Sequence, residues 1–229
     1  MKNSGRLVGG AIAAVIAIAL VIAVANGGNG APDVTFPGGS GTTVAPGGSL
    51  PASAEPAEYQ AARIQGAPLA PMQDGGPDEA VGAQVPVVDG FDFDGSAVSL
   101  DVAASGKPTM LVFLAHWCPH CNNEIPRIIE WAETVGVPTG LRIVGVATGS
   151  RSDQPNWPPS QWLEEKGWEW ETIADTQNGD IMAAYGGTSF PTMVFVNADG
   201  TVSNRVSGEL GVDALTGIVK TFMEGGISA

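Results

Sequence analysis

Both cysteines and both histidines of the chain fall within six consecutive residues, His116-Trp117-Cys118-Pro119-His120-Cys121. All thiol and imidazole chemistry is therefore gathered in one place. Two cysteines with two residues between them can close a small disulfide ring, and the thiolate is the form that attacks a disulfide or binds a metal. The residue types leave two chemistries open. One is thiol–disulfide exchange through Cys118 and Cys121; the other is a non-catalytic module that holds zinc or Cu(I) through His116, Cys118, His120 and Cys121. Four ligands crowded into so short a segment are poorly arranged around one tetrahedral ion, and the sequence has no further histidine to complete a copper site. Exchange, with no metal and no cofactor, is therefore the leading expectation, because the two thiols carry the two electrons themselves. Haem attachment through C-x-x-C-H is excluded by Asn122. The cysteine count excludes a disulfide-stapled scaffold and a four-cysteine zinc domain.

The segments on either side must position these groups. Thr109 to Leu114 is an unbroken apolar run that reads as a strand buried on both faces. From Cys118 to about Val135 the apolar residues Ile125, Ile128, Ile129, Ala132 and Val135 recur at helical spacing, with Pro126 inside the run. Cys118 would then sit where a strand hands over to a helix. The unpaired N–H groups and partial positive charge of a helix start favour a thiolate there. Cys118 is thus the expected exposed, attacking thiol, and Cys121, one turn further on, the resolving thiol. Pro119 suits an early helix position, and the imidazole of His120 is expected to stabilise the Cys118 thiolate. A stabilised thiolate favours the reduced pair and makes the disulfide a stronger oxidant.

The remaining pattern is that of an α/β sandwich on a mixed sheet. Phe91 to Leu100 alternates about Asp94-Gly95, a hairpin dipeptide; Leu141 to Ala147 reads as a second buried strand. Helices are predicted over Ser160 to Lys166, Asp180 to Tyr185 and Gly211 to Met223. Strands over Thr192 to Asn197 and Thr201 to Val206 meet at Asp199-Gly200. The tryptophans Trp157, Trp162, Trp168 and Trp170 read as packing around the helix from Ser160 rather than as a binding platform.

The N-terminal third differs. Leu7 to Val24 is an uncharged apolar stretch, which as a helix spans about 27 Å, close to a bilayer core. Lys2 and Arg6 precede it, so residues 1–25 are expected to be a cytoplasmic stub and signal anchor with everything after Asn26 outside the cell membrane. The alternative is secretion after cleavage near Ala23-Val24-Ala25. Lipoprotein anchoring is excluded, since no cysteine follows the segment. Residues 26–84, rich in Gly, Pro and Ala, are expected to be a flexible linker, with a short helix over Glu58 to Ile64, and residues 85–229 the folded domain. After the anchor the chain carries 24 acidic against 8 basic residues. So acidic a chain lacks the basic face that nucleic acids require.

Taken together, Trp117-Cys118-Pro119-His120-Cys121, Glu124-Ile125-Pro126, Val144-Gly145-Val146, Tyr185-Gly186-Gly187-Thr188-Ser189-Phe190-Pro191-Thr192 and Val196-Asn197-Ala198-Asp199-Gly200 resemble the thioredoxin superfamily. More narrowly they resemble its membrane-tethered TlpA and ResA-like thiol–disulfide oxidoreductases, over roughly Val85 to Met223. The resemblance implies a thioredoxin-like fold, a central mixed β-sheet flanked by helices. It implies that Pro191 is the cis-proline lying against the cysteine pair, that the backbone of Phe190 pairs with a bound client, and that Trp117 and Pro119 contribute to the client surface. Glu124 matches the acid of the ResA-like group, while Val112 stands where thioredoxins carry a buried acid. The Pro-His dipeptide is that of the oxidant DsbA, whereas a ResA-like protein would act as a reductase, for instance in cytochrome c maturation. The implied partners are exported proteins with cysteines and a membrane redox partner that resets the pair. A peroxiredoxin is disfavoured, because the peroxidatic Thr-x-x-Cys motif is absent.

Overall fold

The computed structural model describes residues 43–44, 48–73 and 75–225. The expected anchor, Leu7 to Val24, and the first part of the expected linker lie outside the described residues. Among the described residues no helix is long and apolar enough to cross a membrane.

The fold is thioredoxin-like, a mixed sheet with helices on both faces. Its centre is β5 (Thr109–Leu114), every residue of which is buried. Side chains of a strand alternate between faces, and here the alternation feeds two cores. Leu111 and Phe113 join one, Met110, Val112 and Leu114 the other. Two strands run parallel on one side, β6 (Arg142–Ala147) and β7 (Glu171–Ala174); on the other lie the antiparallel β8 (Thr192–Val196) and β9 (Val202–Ser207). Beyond β7 come β3 (Val87–Phe91), with its hairpin partner β4 (Ala97–Ser99), then β2 (Ala62–Gln65) and β1 (Thr43–Val44).

The second core is covered by α2 (Pro119–Thr134), α3 (Pro159–Glu165) and α5 (Val212–Met223), through Ile125, Ile128, Trp131, Trp162, Val219 and Phe222. Gly145 is required there. A Cβ at that position would meet the indole of Trp168 at 3.1 Å, so glycine lets the tryptophan lie flat on β6. Trp162 and Trp168 are thus core residues, as the packing reading expected. The first core is closed by α1 (Val102–Ser105), α4 (Asp180–Ala184) and residues N-terminal to β3. Buried Asp175, at the end of β7, accepts N–H groups of Ile181 and Met182 at 2.8 and 3.1 Å and so caps α4 from the end of the preceding strand.

Those residues before β3 correct two expectations. The helix over Glu58 to Ile64 is not formed: Ala62 to Gln65 is a strand antiparallel to β3. Nor does a free linker reach residue 84, for Ala62, Leu69 and Ala80 are buried in the first core. Polar contacts complete the attachment. Arg205, its side chain fully buried, pairs with both carboxylate oxygens of Asp78 and donates to the carbonyl of Tyr185 at 2.9 Å. Glu58 accepts from the N–H and hydroxyl of Ser160 at 3.0 and 2.6 Å, at the start of α3. The Asp78–Arg205 and Glu58–Ser160 contacts each span more than a hundred residues of sequence and are invisible in composition, which shows only a proline- and glycine-rich stretch.

Gly186 makes a close backbone approach to the extension. Its φ is +68°, and a Cβ would stand 2.4 Å from the carbonyl oxygen of Ala70 and 2.6 Å from Arg205. Gly186→Ala is expected to destabilise the domain by about 1–3 kcal/mol in urea unfolding and to speed proteolysis within residues 62–80. An unchanged unfolding midpoint would show that the extension does not need this approach.

Candidate functional site

Cys118 is the residue that caps α2. Its backbone is extended (φ −75°, ψ 121°), Pro119 opens the first turn, and no side chain caps the helix start. The first sulfur thus sits at the start of the helix, as the strand-to-helix handover predicted, though it accepts no hydrogen bond from the first-turn N–H groups. The turn is closed by the Cys118 N–H donating to Ala115 O at 3.0 Å. Both cysteines are free thiols. Sγ of Cys118 lies 3.8 Å from the carbonyl oxygen of Phe190, and the Phe190–Pro191 peptide is cis. Trp117 donates its indole N–H to Gly149 O at 2.8 Å and packs edge-on against the Phe190 ring at 5.8 Å. Trp117, Cys118, Phe190 and Pro191 are thus brought together.

Two expectations need amendment. Cys118 is not openly exposed: only 6% of its surface is accessible, because Trp117 and Phe190 pack against the same cluster. His120 is exposed, and its Nδ1 is turned to the carboxylate of Glu209 at 2.6 Å instead of to the sulfur. His116 is buried and tautomerically fixed. Its Nδ1 lies 2.7 Å from Pro155 O and must donate to that carbonyl, while its Nε2 accepts the Arg151 N–H at 3.0 Å. Burial lowers its pKa, keeping the ring neutral. With both nitrogens of His116 engaged and His120 turned away, the four side chains of the metal reading do not converge. No cluster of three or more His, Cys, Asp or Glu positioned for a metal occurs among the described residues.

Cys121 and Glu124 lie one turn apart on the inner face of α2, both fully buried. The sulfur of Cys121 receives only the Ala115 N–H, at 3.4 Å. Burial pushes this thiol far up, and the neighbouring Cys118 and Glu124 push in the same direction. Glu124 accepts the Leu210 N–H on Oε2 at 2.9 Å, and its Oε1 has no partner. Burial raises its carboxyl to about 7, against the opposing effects of the Leu210 N–H and of Arg127, whose guanidinium stands 3.6 Å away.

Asn122 entered the sequence reading only as the residue that excludes haem. Here its amide donates to His116 O at 3.1 Å and Cys118 O at 2.9 Å, and its carbonyl accepts the indole N–H of Trp162 at 3.0 Å. Glu209 was missed altogether; it lies in the turn between β9 and α5 and reaches the outer face of α2. Spacing does not show the link of Asn122 to Trp162, 40 residues away, nor that of Glu209 to Asn123, 86 residues away.

The fold and the paired thiols define a thioredoxin-like thiol–disulfide oxidoreductase. The chain belongs to the AhpC/TSA family, whose profile matches residues 81–205. Among characterised proteins it is similar to the soluble secreted antigen MPT53 of Mycobacterium tuberculosis, 28% identical over 144 residues that span 62% of this chain and 75% of the relative. Among solved structures it resembles the thioredoxin domain of a thiol-disulfide oxidoreductase from Bacteroides vulgatus, at 27% identity and a TM-score of 0.50 over 62% of this chain and 97% of that one. It also resembles a thiol:disulfide interchange protein from a Bacteroides species, at 26% identity and a TM-score of 0.50, covering 65% and 93% of the two chains.

The raised Glu124 carboxyl has a consequence for stability. Between its ordinary value of 4.5 and about 7, the folded chain holds a proton that the unfolded chain releases. Stability contributed by this group is complete below the lower value and lost as pH rises through the upper one. Glu124→Gln is therefore expected to be no more stable than the parent at pH 4 but more stable at pH 8, the difference growing by on the order of 3 kcal/mol across that window. Parallel pH–stability curves for the two proteins would refute the assignment.

Proposed function

We propose that the protein exchanges disulfides with exported client proteins through a mixed disulfide at Cys118, resolved by Cys121, with Glu124 as the proton carrier for the buried sulfur. One observation carries this reading: a fully buried thiol lies one turn from a buried carboxyl whose raised pKa lets it hold or release a proton near neutral pH. In the oxidising direction a client thiolate attacks Cys118 of the Cys118–Cys121 disulfide. The departing Cys121 sulfur takes a proton from the Glu124 carboxyl. A second client thiolate then attacks the client's own sulfur in the mixed disulfide and releases Cys118. In the reducing direction the Cys118 thiolate attacks the client disulfide and releases one client thiolate; Glu124, ionised, then takes the proton of Cys121, whose sulfur attacks Cys118 and expels the second client thiolate. Atoms and electrons balance both ways without a cofactor.

The client would lie along Phe190 and Pro191, with Trp117 and Pro119 on either side of Cys118. The small exposure of Cys118 supports an extended, flexible client segment in place of a folded surface. The oxidising direction is supported by the helix start at Cys118 and by the resemblance of the Pro119-His120 dipeptide to that of DsbA, and not by a contact of the imidazole, which faces Glu209. Reduction is the second reading, and the buried Glu124 of the ResA-like resemblance favours it. The reduction potential separates the two. A value near the roughly −120 mV of DsbA is expected for the oxidant; one near the roughly −270 mV of thioredoxin would overturn that direction in favour of the reductase.

We further propose that the domain works outside the cytoplasm, held at the cell membrane by the N-terminal segment and reset by a membrane redox partner. Stable disulfides form and persist chiefly in such a compartment. The mycobacterial relative is named a soluble secreted antigen, which supports export and keeps release after cleavage as the alternative. In cells producing Cys121→Ser, mixed disulfides with exported proteins are expected to accumulate in the membrane fraction. Their appearance in the culture medium would favour the secreted form, and adducts confined to cytoplasmic proteins would overturn export.

A further inference from the structure

Glu209 lies just past β9, outside every motif the sequence offers. Its Oε1 accepts from Asn123 Nδ2 at 3.1 Å and lies 2.6 Å from His120 Nδ1. Its Oε2 is paired with Arg127. That same guanidinium stands 3.6 Å from Oε2 of Glu124, beyond hydrogen-bond range. The next residue, Leu210, gives its N–H to Glu124, so the turn that carries Glu209 also closes over the buried acid. One guanidinium faces two carboxylates and is committed to the outer one.

We propose that Glu209 is a positioning residue for thiol–disulfide exchange: by holding Arg127 on the surface of α2 it denies Glu124 a full ion pair and keeps that carboxyl able to take and give a proton beside Cys121. The inference rests on the proton role given to Glu124 above. Its physical basis is the competition among the groups that face Glu124. From α2 these are Cys121 and Arg127; from the turn before α5 they are the Leu210 N–H and Glu209. Arg127 favours the ionised carboxyl, and the charge of Glu209 opposes it. Glu209 itself stays ionised, its carboxyl held down to about 2 by His120 first, then Asn123 and Arg127. It therefore keeps its grip on Arg127 across the pH range in which Glu124 titrates. Removing the charge of Glu209 frees Arg127 to approach Glu124 and withdraws a repelling neighbour, and both changes lower the Glu124 midpoint.

Glu209→Gln preserves size, and the test is a carbon-13 NMR titration of the glutamate carboxyls in the full chain, with Glu124 assigned by its loss in Glu124→Gln. Glu209→Gln is expected to lower the Glu124 midpoint by about one pH unit. In an Arg127→Gln background the same substitution is expected to shift it by less than half as much, because only the direct repulsion remains. Glu209→Asp, which keeps the charge, is expected to restore most of the parental midpoint. An unchanged midpoint in Glu209→Gln, or equal shifts in both backgrounds, would overturn the proposal. The pH profile of mixed-disulfide resolution, followed alongside, is expected to move with the midpoint. A midpoint that moves as expected while the rate profile stays fixed supports the hold on Arg127 and overturns the proton role of Glu124 instead.

Discussion

An acid and a thiol are buried side by side on the inner face of α2, and the surrounding structure is arranged to make that tolerable. An ionised group taken out of water costs several kcal/mol unless it is paired. Here the pairing is deliberately incomplete. Glu124 receives one backbone N–H from the turn before α5 and a distant guanidinium, and Cys121 one backbone N–H from the end of β5. Those two donors come from opposite edges of the helix and from segments far apart in sequence. The strand–turn–helix unit therefore works only when β5, α2 and the β9–α5 turn are locked together by the second core. The unbroken apolar run of β5 and the stripe of Ile125, Ile128 and Trp131 on α2 supply that lock.

How much of this could be read in the sequence follows from the range of each interaction. β5 and α2 were legible because their signals are local: an apolar run, helical spacing, a proline at the first turn. The hairpin at Asp199-Gly200 and the helix from Val212 were legible for the same reason. The strand β2 was not. Four residues with a mixture of apolar and polar side chains have no strand signature, and Ala62 becomes a core residue only when β3 is beside it. The candidate site divides in the same way. Cys118, Cys121, Glu124 and Pro191 announce themselves through spacing and motif. The hydrogen bond from His120 to Glu209 does not, because nothing in the sequence indicates that residue 209 returns to the start of α2. In sequence the imidazole's nearest candidate partner is the Cys118 sulfur, whereas in the fold a carboxylate from another element is better placed to receive it.

Residues 62–85 extend the sheet past the thioredoxin-like core and seal one of its two apolar faces. Burying Leu69, Ala80 and Val85 there contributes apolar area that the sheet would otherwise expose. The ion pair of Arg205 with Asp78 does not by itself argue for stability, since a buried charge must be compensated before it stabilises anything. Its value is directional. The guanidinium accepts no substitute geometry once it also donates to Tyr185, so the extension can dock in one register only.

The amide of Asn122 bears on what changes when the cysteine pair closes or opens. It holds the carbonyls of His116 and Cys118, and through Trp162 it is tied to α3. Neither sulfur belongs to that net. Neither bond of its amide nor the one to Trp162 uses a sulfur, so closing a ring between the two thiols does not require any of them to break.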